Sequence, residues 1–278
     1  MHNALIDLER YPIDRPDSPR YQQVLRETRE ALHARGCAVL SGFLTPLGIA
    51  ELVAEADGVA DKGHRSFGHT NPYFSEDDPT LPPEHPVRRF FPRSNAFVAA
   101  DHFPTSGPLR RIHDHSGFDA FIQSALEQTA FYRYADPLAD VIVNVAEEGN
   151  GFPWHFDTNN FTVTLAIQNS EAGGSFEYVP DIRRGGEHFD AVQRVLDDTS
   201  DRVHRLDLQP GDLQLFKGRY SLHRVAPLRG KTRRYVAIFS YVEEPDMVGS
   251  PERTRQLYGR VLPIHLERAG LRADNYLD

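Results

Sequence analysis

The chain has a single cysteine, Cys37, so no internal disulfide can staple it. That thiol lies in the apolar run Cys37-Ala38-Val39-Leu40, which predicts a buried, unreactive side chain rather than a nucleophile. No apolar stretch approaches the ~20 residues needed to cross a bilayer. The opening residues Met1-His2-Asn3-Ala4-Leu5-Ile6-Asp7 lack the basic and apolar regions of a signal peptide. Positive charge is also scarce, with 31 Lys and Arg against 40 Asp and Glu, a net charge of −9. This deficit argues against a general nucleic-acid binder and requires any anionic ligand to be held by individually placed arginines. Internal repeats and low-complexity tracts are missing as well. The expectation is one soluble, cytoplasmic domain in a reducing compartment, with a small-molecule ligand and no membrane or nucleic-acid partner.

What is present begins with helices. Tyr21, Val24, Leu25, Thr28 and Leu32 recur at helical spacing over 20–35, and Gly36 ends the run. Cys37–Leu40 reads as a first strand, and Pro46 opens a second helix with Leu47, Ile49, Leu52, Val53 and Ala56 on its apolar side. From Asp61 to about Pro108 the periodicity fails, broken by Pro72, Pro79, Pro82, Pro83, Pro86, Pro92 and Pro104. The aromatics in that segment, among them Phe67, Tyr73, Phe74 and Phe97, would seek burial, so 61–108 reads as a lid over a pocket. A further helix is predicted over 117–131.

Strands follow, at 141–145, 161–168, 176–179, 206–208, 213–216, 221–225 and 234–241, with a short helix over 187–196. Helices first and many short strands afterwards suggest an antiparallel sandwich, mainly β, with helical support. The division expected is helical support over 1–135, a β core over 136–242 and a C-terminal extension over 243–278.

His155-Phe156-Asp157 carries the chemistry. On a strand, residues i and i+2 share a face about 6.5–7 Å apart, so His155 and Asp157 can reach one metal while Trp154 and Phe156 face away. The triplet alone is weak, since His188-Phe189-Asp190 and His265-Leu266-Glu267 repeat it. His188 falls in a helix-like stretch, where i and i+2 diverge, and no histidine follows His265. His113-Asp114-His115 stands before a helix and reads as a polar loop or cap. Only His155 and Asp157 are followed by strands that return another strand-borne histidine, His223. Two histidines and one carboxylate hold non-haem Fe(II) on one face and leave the opposite positions open. Arg233-Arg234 opens the last strand and offers a guanidinium for a dicarboxylate co-substrate. Neither face of that strand declares itself by polarity, so both arginines stay in play, with Arg234 preferred.

At these residues the chain resembles the Fe(II)/2-oxoglutarate-dependent dioxygenases. Pro153-Trp154-His155-Phe156-Asp157-Thr158, Gly173-Gly174-Ser175-Phe176-Glu177-Tyr178, Gly211-Asp212-Leu213-Gln214-Leu215-Phe216 and Ser221-Leu222-His223-Arg224-Val225-Ala226-Pro227 look like successive pieces of that family's double-stranded β-helix, a jelly-roll, cupin-like core. More narrowly, the chain is similar to the bacterial subgroup of free amino-acid hydroxylases and halogenases. The tail Tyr241-Val242-Glu243-Glu244-Pro245 with Leu257-Tyr258-Gly259-Arg260 adds to that likeness. The resemblance implies Fe(II) bound by His155, Asp157 and His223, and Arg234 paired with the distal carboxylate of 2-oxoglutarate. It further implies O₂ as co-substrate, with succinate and CO₂ released as an unactivated C–H bond is hydroxylated. Halogenating members carry glycine where this chain has Asp157, so hydroxylation is the implied outcome. Lysine-specific members have an acidic residue after the metal motif, where Thr158 stands, and polar groups on the last strand, where Ile238 and Ser240 stand. Lysine itself is therefore disfavoured.

Asn144, in the strand before the motif, is a candidate donor to the bound keto acid or else a strand-end turn residue. Arg89 and Arg93 are candidates for a substrate carboxylate or else solvated loop charges. Thr158 and Ser240 are further candidate substrate contacts, with Asn159, Asn160, Thr162 and Thr164 as other polar groups near the motif. Two readings from other classes remain: a jelly-roll protein that binds without turnover, and a Zn(II) hydrolase using the same ligands. Within the oxygenase reading, desaturation and ring closure are the other outcomes.

Overall fold

The computed structural model describes residues 5–268 and 276–277, so Met1–Ala4 of the N-terminal reading, and 269–275 and 278 of the C-terminal extension, lie outside the described residues. Helix α1 (Pro19–Arg35) forms where expected. The Ser18 side chain accepts the Tyr21 N–H, Pro19 fills the first position, and Gly36 ends the helix at φ +66. A Cβ at Gly36 would stand 2.3 Å from the Cβ of Pro180, so both space and backbone favour glycine. Strand β1 (Cys37–Leu40) and helix α2 (Pro46–Val59) follow, α2 capped by Thr45.

Strands β2 (His64–Thr70) and β3 (Phe91–Val98) precede helices α3 (Pro108–His113) and α4 (Phe118–Leu126). Then come β4 (Tyr132–Arg133), β5 (Val141–Ala146), β6 (Phe152–His155), β7 (Phe161–Gln168), β8 (Ala172–Gly173) and β9 (Phe176–Val179). Helix α5 (Phe189–Leu196) leads to β10 (His204–Leu206), β11 (Leu213–Phe216), β12 (Leu222–Val225), β13 (Leu228–Arg229) and β14 (Arg234–Val242). Helices α6 (Pro251–Tyr258) and α7 (Pro263–Glu267) close the described chain.

Apart from β8 and β13, which pair only with each other, the strands form two facing antiparallel sheets, a double-stranded β-helix. The larger runs β1-β11-β7-β14-β5-β3-β2, with β4 also on β14, and the smaller runs β10-β9-β12-β6. Alternation assigns the faces of the larger sheet. Val141, Val143 and Val145, then Val163 and Leu165, then Tyr235, Ala237 and Phe239 pack into one core with Leu25, Leu52, Phe118 and Ile122 of the helices. Burying each such side chain contributes about 1.5–3 kcal/mol. The opposite residues of each strand therefore face the second sheet. Cys37 and Phe216 meet Phe176 and Tyr178 there. The thiol of Cys37 is buried and pushed up to about 12 by desolvation, consistent with an inert core group.

Three local expectations are corrected. Residues 61–108 are not one irregular lid, because β2 and β3 pair from His64↔Phe97 to Thr70↔Phe91 and β3 joins β5. Pro92 stands opposite His69 of the edge strand β2 and outside the stretch of β3, Ala96–Val98, that pairs with β5. Within 61–108, the stretches 71–90 and 99–107 remain connections, and the segment expected to be helical support contributes four strands to the larger sheet. His113 is neither loop nor cap: it ends α3, fully buried against Phe118, Phe239 and Tyr241. Helix α4 stops at Leu126, five residues short of 131, because Glu127 turns to φ +56.

Candidate metal centre

Strands β6 and β12 pair antiparallel with His155 and His223 as direct partners. Phe156, Trp154 and Leu222 turn into a cluster with Tyr73, Val179 and Val192, which sends their neighbours His155, Asp157 and His223 to the other side. Asp157 lies just beyond β6 rather than on it. Its N–H donates to the Gly218 carbonyl at 3.1 Å, while the Phe156 N–H donates to Pro72 at 2.9 Å. These two bonds fix the peptide between the histidine and the carboxylate.

The three side chains converge. Asp157 Oδ1 lies 3.4 Å from His223 Nε2 and 3.6 Å from His155 Nε2. One ligand atom from each residue falls within 4.8 Å of the others. A single ion about 2.0–2.2 Å from each donor spans such separations. Each histidine directs Nδ1 at the carbonyl two residues before it, Pro153 at 2.8 Å and Ser221 at 2.9 Å. That contact places the proton on Nδ1 and leaves the Nε2 lone pair facing the common point.

Charge follows the same design. Burial, with His223 nearby, holds His155 well below the ordinary histidine range, so it is a neutral ligand. Burial alone would raise the Asp157 carboxyl, but His223, His155 and the Thr162 hydroxyl outweigh it and hold the group well below the usual carboxylate range. The result is an anionic oxygen beside two imidazole nitrogens, a donor set that fits Fe(II).

The competing triplets have other duties. His188 adopts φ +48, and its Nε2 meets the Arg184 carbonyl. His265 accepts the Leu262 N–H on Nδ1 and sets Nε2 3.1 Å from Asp136 Oδ2.

The two arginines where β14 begins separate cleanly: Arg234 is its first residue, and Arg233 lies just before it. Arg233 is partly exposed and ion-paired with Asp61 at 2.9 Å and Glu147 at 3.0 Å. Arg234 faces the interior of the sandwich, is 7% exposed, and has no acidic partner among the described residues. Desolvation alone shifts it downward, to about 10. A buried guanidinium with no counter-charge is costly, and it fits a dicarboxylate that arrives as a ligand. Arg234 borders a cavity of about 230 Å³ with Gly174, Ser175 and Phe176, and the Phe176 ring lies 5.6 Å from that of His223. Gly174 leaves the room: a Cβ there would stand 3.3 Å from Arg234 Cδ.

Asn144 is a mid-strand residue on the same inner face, not a turn asparagine, and its amide donates to the Ala96 carbonyl at 3.3 Å. A second cavity, about 270 Å³, touches the centre through Asp157, Thr158, Asn159 and Thr162. Ile142, Ile238 and Ser240 form its sheet wall, and Phe74, Tyr134, Asp136 and Arg253 close it. Asn160 instead donates to the Tyr220 hydroxyl, and Thr164 to Gln214.

Arg89 is drawn away from the centre: it pairs with Asp197 at 2.7 Å on the outer surface. Arg93 is the opposite case. It is 3% exposed, none of its three guanidinium nitrogens has a hydrogen-bond partner among the described residues, and it lies over Phe152 at 4.8 Å, Phe74 at 5.7 Å and Phe97 at 5.9 Å. Phe74, Asp136, Arg253 and Gly218 were not legible as site residues, because their positions depend on contacts between distant segments. The only local signal was the aromatic density around Phe74.

The halogenase D family model matches residues 86–258, which include all three triad residues and Arg234. No curated protein matches the chain in sequence. Solved structures share the fold. The non-haem α-ketoglutarate-dependent carbocyclase of nogalamycin biosynthesis superposes with a TM-score of 0.56 at 14% identity, over 78% of this chain and 83% of that one. A prolyl-4-hydroxylase from Pseudomonas putida gives 0.51 at 13% identity, over 80% and 100%. A 2OG-Fe(II) oxygenase family protein from Burkholderia pseudomallei gives 0.51 at 12% identity, over 79% and 91%.

Proposed function

The chain belongs to the halogenase D family, within the Fe(II)/2-oxoglutarate-dependent oxygenases, and from that premise we propose that it hydroxylates a free amino acid or amino-acid derivative. The observation that carries this reading is Asp157 itself, whose Oδ1 completes a two-histidine, one-carboxylate set. A carboxylate in that place fills the position that a halide would need.

With Fe(II), 2-oxoglutarate and O₂ bound, the centre supplies C–H oxidation with release of succinate and CO₂. The protein's part is orientation and exclusion of water. His155 and His223 present Nε2, their rings fixed by the Pro153 and Ser221 carbonyls. Arg234 would hold the distal carboxylate of 2-oxoglutarate, and Asn144 would donate to the keto-acid end. The substrate enters the larger cavity beside Asp157, against Thr158 and Ser240. Arg93, whose unpaired guanidinium lies behind Phe74 and Phe97, supplies the charge for a substrate carboxylate. Arg89, committed to Asp197, has no part in this reading.

The test is a screen of amino acids and their derivatives for substrate-stimulated succinate release, with and without chloride. A product that gains one oxygen atom, whether or not chloride is present, supports hydroxylation. A chlorinated product, or turnover that needs no O₂, would sink it.

A further inference from the structure

The carboxylate of Asp157 has two oxygens, and the structure treats them differently. Oδ1 faces His155 and His223. Oδ2 points the other way and accepts a hydrogen bond from the Thr162 hydroxyl at 2.6 Å. Thr162 sits on the inner face of β7, opposite Ser240 of β14 and Phe216 of β11, so the sheet ladder on both sides fixes its position. The backbone adds a second restraint. The Gly218 carbonyl accepts the Asp157 N–H, and its Cα lies so close that a Cβ would fall 1.8 Å from Oδ2 and 2.6 Å from Cγ.

From this geometry we propose that Thr162 is a positioning residue that keeps Asp157 a one-oxygen ligand, with Gly218 as the backbone wall behind it. The inference rests on the reading of the triad as the iron site. A carboxylate free to rotate can offer both oxygens to one ion, and the second would take a position that 2-oxoglutarate or O₂ must use. Thr162 opposes that rotation, because its only hydroxyl proton is spent on Oδ2. The bond is short and involves a charged acceptor, the stronger class of hydrogen bond. Gly218 opposes it sterically, since the carboxylate fills the space where any other residue would carry its side chain.

The test compares Thr162→Val, which keeps the shape and removes the donor, with Thr162→Ser, which keeps the donor. Gly218→Ala serves as a separate variant. Fe(II) affinity is measured anaerobically by calorimetry, and the visible charge-transfer band of the anaerobic Fe(II)–2-oxoglutarate complex is recorded. Thr162→Val and Gly218→Ala should weaken Fe(II) binding by roughly 10–100-fold and move or diminish the band, whereas Thr162→Ser should stay near wild type. Melting of the metal-free Thr162→Val protein close to wild type separates this from simple misfolding. Wild-type affinity and an unmoved band in Thr162→Val would overturn the proposal. A wild-type protein that shows no band at all would overturn the iron reading itself, and this one with it.

Discussion

His155 and His223 are cross-strand partners whose imidazole centroids lie 4.0 Å apart, each with Nδ1 committed to a carbonyl on its own strand. Two rings so close, both buried, cannot both be cationic. They are arranged to present two Nε2 atoms to one positive ion. Replacing either with alanine should abolish Fe(II) binding, read by anaerobic calorimetry, because two remaining donors cannot hold the ion. Binding within tenfold of wild type in His223→Ala would show that the ion lies elsewhere.

Arg234 and Arg233 differ by one position on a strand, which places them on opposite faces. Arg234→Met should weaken 2-oxoglutarate binding by roughly 2–5 kcal/mol, since the distal carboxylate would lose its buried guanidinium partner. Arg233→Met removes partly exposed ion pairs to Asp61 and Glu147 and should change that affinity by about 1 kcal/mol or less. Titration of each variant with 2-oxoglutarate decides the matter, and the reverse ranking would refute the assignment of faces.

That pair also marks where the sequence stops being legible. The triad could be read because a strand's two-residue period and a returning strand histidine are local patterns. Cys37–Leu40, α1 and α2 could be read from spacing, proline and glycine. The face of Arg234 could not. Tyr235, Ala237 and Phe239 lie under the helices, while Val236 and Ile238 line the interior, so both sides of β14 are covered and no polarity contrast survives. β2 was hidden for a related reason: as an edge strand with exposed Phe67, Gly68 and His69, it shows no apolar alternation. Arg93 could be named but not placed, because only the pairing of β3 with β5 turns it inward.

Arg93 sets stability against function. Three unpaired guanidinium nitrogens in a buried site are a cost to the folded protein, and desolvation lowers the group to about 8, helped by Arg253. Arg93→Met keeps much of the stem's packing over Phe152 and removes the charge. The variant should melt at or above the wild-type temperature, while the KM for whichever compound stimulates succinate release rises at least tenfold. A lower melting temperature with unchanged KM would make Arg93 a structural residue instead.

His113 should govern part of the acid sensitivity of the fold. It is fully buried at the end of α3, neither ring nitrogen has a hydrogen-bond partner among the described residues, and burial, reinforced by Arg133, depresses it to about 3. In the unfolded chain it titrates near its ordinary value of about 6.5. Below that pH the unfolded state takes up a proton that the folded state refuses until about pH 3. Stability from this group is therefore intact above about 6.5 and drains away as pH falls, at about 1.4 kcal/mol for each unit crossed. His113→Leu keeps an apolar side chain against Phe118 and Phe239 and removes the titration. Urea unfolding at pH 7 and pH 5 should show the wild type losing about 2 kcal/mol more than the variant between the two. His155 shifts in the same direction and remains in both proteins, so it cancels in the comparison. Equal losses in the two proteins would mean that the His113 imidazole reaches solvent or a partner in solution, and that the contact of α3 with β14 is looser than its packing indicates.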